Sequence, residues 1–237
     1  MMEQPVVLIT GGAKRIGRAL VLHLVKQGYR MVVQYHTSTA EAEELCSLGY
    51  DLKLVQADLR QSELLEDFFT RACSLYGRID HVINNASVFP SVSLEQTDLQ
   101  VFEQAMAVHS TAPFFLSKQL YLHVKQRGGT GSIINVLDTK LSSPTSSRPA
   151  YYCSKGALAM QTKALAVALA PMIRVNAISP GPVLSNGDDA YFSKMEQTLP
   201  LRRTGSALDI CKAVSYLLEA SFVTGTELCV DGGQRLL

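Results

Sequence analysis

Val6-Val7-Leu8-Ile9-Thr10-Gly11-Gly12-Ala13-Lys14-Arg15-Ile16-Gly17 is the stretch on which the fold turns. Residues 6–9 form a short apolar run, rich in β-branched side chains, that reads as a strand buried on both faces. A glycine-rich segment follows at once. Ile16, Ala19, Leu20, Leu24 and Val25 then mark one face of a helix that ends near Gly28. Strand, glycine turn, helix is the context in which glycines point to a dinucleotide. They let the backbone approach a pyrophosphate, while the helix N-terminus supplies N–H donors and a positive dipole end. The spacing is not G-x-G-x-x-G: Gly11 and Gly17 bracket a longer loop, with Arg15 where another glycine is expected. A purely structural turn is the alternative reading.

The next strand, Met31 to Tyr35, bears on the cofactor. An NAD site usually has Asp or Glu at this strand's end, on the adenosine ribose hydroxyls. Here the chain continues His36-Thr37-Ser38, with no carboxylate before Glu41. Donors at those positions, with charge from Lys14, suit a 2′-phosphate and therefore NADP(H). An ordinary polar loop is the bland alternative.

Leu52 to Gln56 reads as a third strand, running into Ala57-Asp58-Leu59. Asp58 either contacts an adenine edge or caps the helix Glu63 to Tyr76. His81-Val82-Ile83 is a fourth strand ending in Asn84-Asn85-Ala86-Ser87-Val88-Phe89, where small and amide residues suit close contact with a cofactor. Phe89 is either core or an aromatic face for a planar ligand. Glu41 to Leu48, Leu94 to Val108, Phe114 to Lys125 and Leu208 to Leu218 read as helices, with Pro113 near the start of the third. Ser132 to Val136, Arg174 to Ile178 and Glu227 to Val230 complete the strands, and Ser179-Pro180-Gly181-Pro182 is a sharp break. Residues 183–201, with weak periodicity, read as a mobile lid over a cleft. Seven strands alternating with helices predict an α/β, Rossmann-type fold: a doubly wound, seven-stranded parallel sheet with helices on both faces. No repeat or linker divides the chain, so residues 1–237 form a single domain.

After the Ser132–Val136 strand comes Tyr151-Tyr152-Cys153-Ser154-Lys155, opening a helix to Ala170. Tyr151 and Lys155 then share one face, and an ammonium beside a phenol favours the phenolate. Such a pair can deliver a proton near neutral pH. Tyr152 has Gly156 at the same offset and lacks that partner. Asp138, just past the strand, is a third polar group near the phenol. Taken alone, Y-x-x-x-K equally describes an ordinary half-buried Tyr/Lys pair.

Composition narrows the class. Of 237 residues, 47% are hydrophobic and 18% charged, enough for a sizeable core, and the net charge is +1. No electrostatic case arises for nucleic acid or an anionic membrane, so phosphate recognition must be local. The five cysteines are odd in number and form no C-x-x-C, which suits reduced thiols in a cytoplasmic protein. The five histidines show no metal-ligand spacing, and no signal peptide or membrane-spanning segment is expected.

These segments together resemble the short-chain dehydrogenase/reductase family across essentially the whole chain. The likeness rests on T-G-x-x-x-x-x-G at Thr10–Gly17, N-N-A at Asn84–Ala86, Y-x-x-x-K at Tyr151–Lys155, R-V-N-x-x-x-P-G at Arg174–Gly181 and D-G-G at Asp231–Gly233. Ordinary members have glycine at Arg15 and a catalytic serine thirteen positions before the tyrosine, where this chain has Asp138. Arg15, Tyr35-His36-x-Ser38, Asn84-Asn85-Ala86-Ser87-x-Phe89 and Asp138 resemble pteridine reductases within the family. Asn186-x-Asp188-Asp189-Ala190, Phe222-Val223-Thr224-Gly225 and Asp231-Gly232-Gly233 are similar to bacterial dihydromonapterin reductases. His109 stands where most members have a structural asparagine, which puts the usual lysine-to-water proton relay in doubt and leaves an imidazole as the replacement.

The resemblance implies an NADPH-dependent reductase of dihydropterins, acting on a C=N bond of 7,8-dihydromonapterin, with dihydrofolate as a second substrate. It implies that Tyr151 donates the proton or orders a donor water. Lys155 would lower the tyrosine's pKa and hold the nicotinamide ribose. Asp138 would bind Tyr151 and the pterin's amine-bearing edge. Phe89 would stack on the pterin opposite the nicotinamide, with Arg15 and Ser87 positioning the ring. The expected cofactor contacts are Gly11, Lys14, Arg15, Ile16, His36, Thr37, Ser38, Asp58, Leu59, Asn85, Ala86, Ser87, Tyr151, Lys155, Pro180 and Gly181. A ketoreductase of a 3-oxoacyl thioester, sugar or steroid is one alternative, against which Asp138 and Arg15 speak. A dinucleotide-binding sensor without catalysis is another, against which the Tyr151/Lys155 pair speaks. A homotetramer is expected by resemblance, with a dimer as the alternative, the helices flanking the Ser132–Val136 strand packing between subunits.

Overall fold

A computed structural model describes residues 4–89, 91–185, 187 and 189–237; Asn186 and Asp188 of the quoted tail pattern lie outside the described residues. The strands are β1 (Val6–Ile9), β2 (Arg30–Tyr35), β3 (Leu52–Gln56), β4 (His81–Asn84), β5 (Gly131–Val136), β6 (Ile173–Pro180) and β7 (Glu227–Val230). They form one sheet in the order β3-β2-β1-β4-β5-β6-β7, with every neighbouring pair parallel. The helices are α1 (Arg15–Lys26), α2 (Thr39–Ser47), α3 (Leu65–Ser74), α4 (Leu99–Met106), α5 (Ala112–Arg127), α6 (Pro149–Ala168), α7 (Asp189–Thr198) and α8 (Ala207–Glu219).

The two-residue period of β1 sorts its side chains between two cores. Val6 and Leu8 pack with Phe68 of α3, Leu116 of α5 and Leu165 of α6. Val7 and Ile9 pack with Leu20 and Leu24 of α1 and with Val214 and Leu217 of α8. All four β1 residues are fully buried, which is why the run carries no polar alternation. The doubly wound sheet with helices on both faces is therefore as expected. Because β1 has β2 on one side and β4 on the other, the chain changes direction across it. A crevice opens outside the carboxyl ends of those strands.

Several boundaries differ from expectation. The helix expected over residues 94–108 is shorter, because α4 starts at Leu99 and residues 94–96 form a turn. Asp98 sets that start, its carboxylate accepting from the Val101 N–H at 2.8 Å. Leu94 and Leu99, which extended the apolar pattern, are each 70% exposed and contribute no core. A π-helical turn, Ala107–Thr111, joins α4 to α5. Residues 62–64 form a 3₁₀ turn before α3, and α6 opens at Pro149, where the missing N–H costs nothing. Within residues 183–201, read as a lid, Val183, Leu184, Tyr191 and Phe192 line the cleft, and ten residues form α7. Its periodicity is weak because most of its described residues are exposed and few face a core.

Candidate active site

The glycine loop and the segment after β4 interlock. Gly11 has φ +62°, and a Cβ there would stand 2.8 Å from the Ala86 Cα. A Cβ on Gly17 would lie 2.2 Å from the Gly11 carbonyl oxygen. Only glycine fits either position. Thr10 Oγ1 accepts from the Asn85 and Ala86 N–H groups, both at 3.0 Å. Asn85 Nδ2 donates back to the carbonyls of Thr10 and Gly11 at 2.9 and 3.0 Å. The Gly11 N–H is taken by Gln34 Oε1 at 2.8 Å, and Gln34 in turn donates to Ala57 O at 2.7 Å. Asn85 thus braces the loop as well as bordering the cleft. Arg15 holds φ +52°, a conformation glycine would adopt without strain. Its guanidinium donates to the carbonyls of Leu184 and Ser185 at 3.3 and 3.4 Å, so the arginine fastens the glycine loop to the segment after β6.

A cleft of about 1220 Å³ runs over these loops and is lined by every residue named above as a catalytic, cofactor or substrate contact. At one end lie His36, Thr37 and Ser38. Glu41, the first carboxylate past β2, is paired with Lys14 at 2.6 Å. Asp58 does not cap the helix that follows. Its carboxylate accepts from Arg60, both N–H and guanidinium, with Arg60 Nη2 at 2.7 Å, and His36 Nε2 lies 3.6 Å from it. The Arg60 hydrogen bonds hold the Asp58 carboxyl below the usual carboxylate range. Arg60 was missed by sequence reasoning, since no motif includes it. Ile16, in the first turn of α1, and the buried Leu59 also line the cleft. Pro180 and Gly181 border the cleft at the end of β6, where a Cβ on Gly181 would meet the Asp231 Cα at 2.6 Å. Asp231 also accepts from Thr139 Oγ1 at 2.6 Å, so the D-G-G segment supports the residue next to Asp138.

At the other end, Tyr151 donates its hydroxyl hydrogen to Asp138 Oδ2 at 2.8 Å, and Asp138 Oδ1 accepts from the Lys140 N–H at 2.8 Å. Lys155 is 2% exposed and donates from Nζ to the Val136 carbonyl at 2.7 Å. The expectation that the ammonium acidifies the phenol is corrected. The Tyr151 pKa lies well above its ordinary value, first because the ring is buried and then because the Asp138 carboxylate opposes a second negative charge. Burial alone drives Lys155 the other way, down to about 8, against a smaller upward pull from Asp138. Burial of the ring, with the Asp138 carboxylate beside it, therefore makes a phenol that keeps its proton.

His109, in the π-helical turn, is fully buried. Its Nε2 lies 3.2 Å from the Val88 N–H and 2.9 Å from Ser87 Oγ, and its Nδ1 lies 2.8 Å from Ser154 Oγ. A backbone N–H can only donate, so Nε2 accepts and Nδ1 carries the hydrogen. Ser154 passes its own hydrogen to the Tyr151 carbonyl at 2.7 Å. Burial, with the Lys155 charge, lowers the imidazole pKa to about 2. His109 is thus a neutral bridge between the β4 loop and α6, and Ser87 spends its hydroxyl on it. Both ring nitrogens are engaged by protein partners, Ser87 and Val88 on one side and Ser154 on the other.

Phe89 is half-exposed and stands edge to face with Tyr151, ring centroids 4.8 Å apart. Arg148 Cζ lies over its ring, 4.2 Å from the centroid. Arg148, Lys140, Tyr191 and Gln234 also line the cleft and were missed, because they sit in loops and helix termini with no local pattern. Gln234 Nε2 donates to Tyr191 Oη at 3.0 Å, joining the C-terminal segment to α7. Among the described residues, no group of three or more His, Cys, Asp or Glu side chains is placed to hold a metal ion, and no helix is long and apolar enough to cross a membrane.

Comparison with known proteins agrees with this layout. The family model described as Enoyl-(Acyl carrier protein) reductase matches residues 11–235. Dihydromonapterin reductase of Shigella boydii serotype 4 is 30% identical over 233 residues, covering 97% of this chain and 96% of that protein. Granaticin polyketide synthase putative ketoacyl reductase 2 of Streptomyces violaceoruber is 33% identical over 246 residues, covering 99% and 98%. Among solved structures, FolM alternative dihydrofolate reductase 1 from Brucella canis, complexed with NADP, superposes with a TM-score of 0.90 at 32% identity, covering 98% of this chain and 95% of that one. With its motifs in order on one doubly wound sheet and its length matched nearly end to end, the chain belongs to the short-chain dehydrogenase/reductase family of oxidoreductases.

Proposed function

We propose that this chain is an NADPH-dependent reductase of dihydropterins, acting on a C=N bond. The observation that carries the reading is the 2.8 Å hydrogen bond from Tyr151 to Asp138, in a cleft that also presents the Phe89 ring. A carboxylate accepts from the amine and ring N–H groups of a pterin edge better than a serine does, and the Phe89 face suits a flat heterocycle.

The cleft suits the cofactor on its own chemistry. Gly11, Gly17 and Gly181 leave no room for a side chain, so backbone borders the cleft there. His36, Thr37 and Ser38 supply donors for a 2′-phosphate. Glu41, the carboxylate that would repel it, is neutralised by Lys14. Bound NADPH would supply the hydride. Lys155 is the cation available to the nicotinamide ribose, and Tyr151 keeps a proton for the nitrogen that gains negative charge as the bond is reduced. Asp138 holds the phenol in place and meets the heterocycle's amine edge.

The Streptomyces ketoacyl reductase among the relatives favours a second reading, reduction of a 3-oxoacyl thioester. One assay separates the readings: NADPH absorbance followed with 7,8-dihydromonapterin, 7,8-dihydrofolate and an acetoacetyl thioester, each repeated with NADH. Reduction of a dihydropterin, with NADPH preferred, is the expected result. Turnover confined to the thioester overturns the pterin reading, and cofactor binding without any turnover leaves a sensor.

A further inference from the structure

Of the lysines and arginines lining the cleft, Arg15 and Lys155 donate to backbone carbonyls, and the other four fall into two sets. At the His36–Ser38 end, Lys14 is paired with Glu41 at 2.6 Å and Arg60 with Asp58 at 2.7 Å. At the Tyr151 end, Arg148 has no carboxylate within ion-pair distance among the described residues. Its side chain makes one marginal hydrogen bond, Nη2 to Ser91 Oγ at 3.5 Å, and its buried Nε meets no acceptor. The guanidinium lies instead over Phe89. Lys140, two residues past Asp138, lines the same cleft and likewise has no carboxylate partner among the described residues.

A cation over an aromatic face satisfies part of the charge and none of the N–H groups. Five donors in a planar fork match the two oxygens of a carboxylate or the edge of a phosphate. Asp138 and Tyr151 already provide for a heterocycle's nitrogen edge, and neither needs a negative ligand. Arg148 complements them: its guanidinium lies 4.2 Å from the Phe89 centroid and meets no carboxylate among the described residues.

We infer that Arg148, with Lys140 in support, binds an anionic group on the substrate's side chain. The chain then selects a flat nitrogen heterocycle bearing a carboxylate or phosphate over one bearing a neutral polyhydroxyl chain. The identity of the heterocycle rests on the dihydropterin reading; the charge of the substituent does not.

The test compares kcat/KM for 7,8-dihydrofolate, for a 7,8-dihydropterin with a neutral trihydroxypropyl chain, and for the same dihydropterin phosphorylated on that chain. In Arg148→Gln the ratio of anionic to neutral substrate falls about tenfold or more, the scale of one charge-assisted hydrogen bond. Arg148→Lys recovers part of it, and raising the salt concentration lowers the ratio in the wild type more than in Arg148→Gln. The dihydrofolate and phosphate arms show which anion is taken. A ratio in Arg148→Gln within about twofold of the wild type overturns the inference. Thermal unfolding and NADPH binding establish that the variant is folded. Should the wild type reduce no dihydropterin, the proposed function fails, and the anion site is then read by direct binding of p-aminobenzoylglutamate. Equal affinity of wild type and Arg148→Gln for that probe overturns it.

Discussion

Tyr151, Asp138 and Lys155 show how one substitution redistributes the work of a shared constellation. The helical spacing put Tyr151 and Lys155 on one face, and the structure keeps them there. Burial of the ring then raises the phenol's pKa, the carboxylate at position 138 adds to the rise while accepting the phenol's hydrogen bond at 2.8 Å, and Lys155 turns to Val136 O. If the phenol is the proton source, Tyr151→Phe lowers turnover about a hundredfold or more, the general-acid scale, and single-turnover NADPH oxidation is the measurement. Unchanged turnover removes the hydroxyl from the chemistry. The pH profile follows from the same contacts. Lys155, lowered to about 8, loses its charge before the phenol loses its proton, so kcat/KM falls as pH rises through about 8. Lys155→Arg keeps a charge at any such pH and moves that limb upward. A limb that stays put assigns it to another group.

At the scale of elements, the site is a meeting of loops held by side chains remote in sequence. The π-helical turn between α4 and α5 carries His109 inward, where it joins Ser87 and Val88 to Ser154. His109→Ala leaves the Val88 N–H and Ser154 Oγ without these partners and opens a cavity behind Tyr151. The expected loss of stability is about 2–4 kcal/mol, from unmet polar groups and lost packing, measured by urea unfolding. A loss under about 1 kcal/mol would show that the bridge is not what holds the β4 loop against α6. Arg15 makes a parallel connection, tying the glycine loop to Leu184 and Ser185. Its place in the loop was legible, but its contacts lie some 170 residues away and no local pattern announces them.

For the whole molecule, two imidazoles make acid stability depend on pH in the range just below neutral. His109 and His81 have pKa values of about 2 and about 4, lowered chiefly by burial, against an ordinary value of 6.5. Both are neutral in the folded chain at pH 5, and both take up a proton on unfolding. Their folded values lie below the unfolded ones, so the stability they permit at pH 7 is lost as pH falls from 6.5 towards 4 for His81 and towards 2 for His109. Two such groups give a slope of up to about 2.7 kcal/mol per pH unit near pH 5. Urea unfolding at pH 7, 6 and 5 measures it, and His109→Gln should reduce the slope by about half. A flat profile would mean that neither ring is held neutral by burial.

The fold, the ordering of its motifs and the strand ends at which a cleft must open were all legible in the chain's local pattern. Apolar period and glycine placement are local properties, and a parallel sheet must bury each strand on both faces, so the pattern in Val6–Ile9 or Ser132–Val136 has few other outcomes. The family's motifs named Tyr151, Lys155 and Asp138 from their spacing alone. Tertiary structure decided the rest: which way the phenol's proton is pulled, that His109 is a neutral bridge, that residues 183–201 include a helix, and that Arg148 reaches Phe89. Each depends on burial or on a partner far along the chain, and neither the dielectric around a group nor the neighbour it meets is written in the residues beside it.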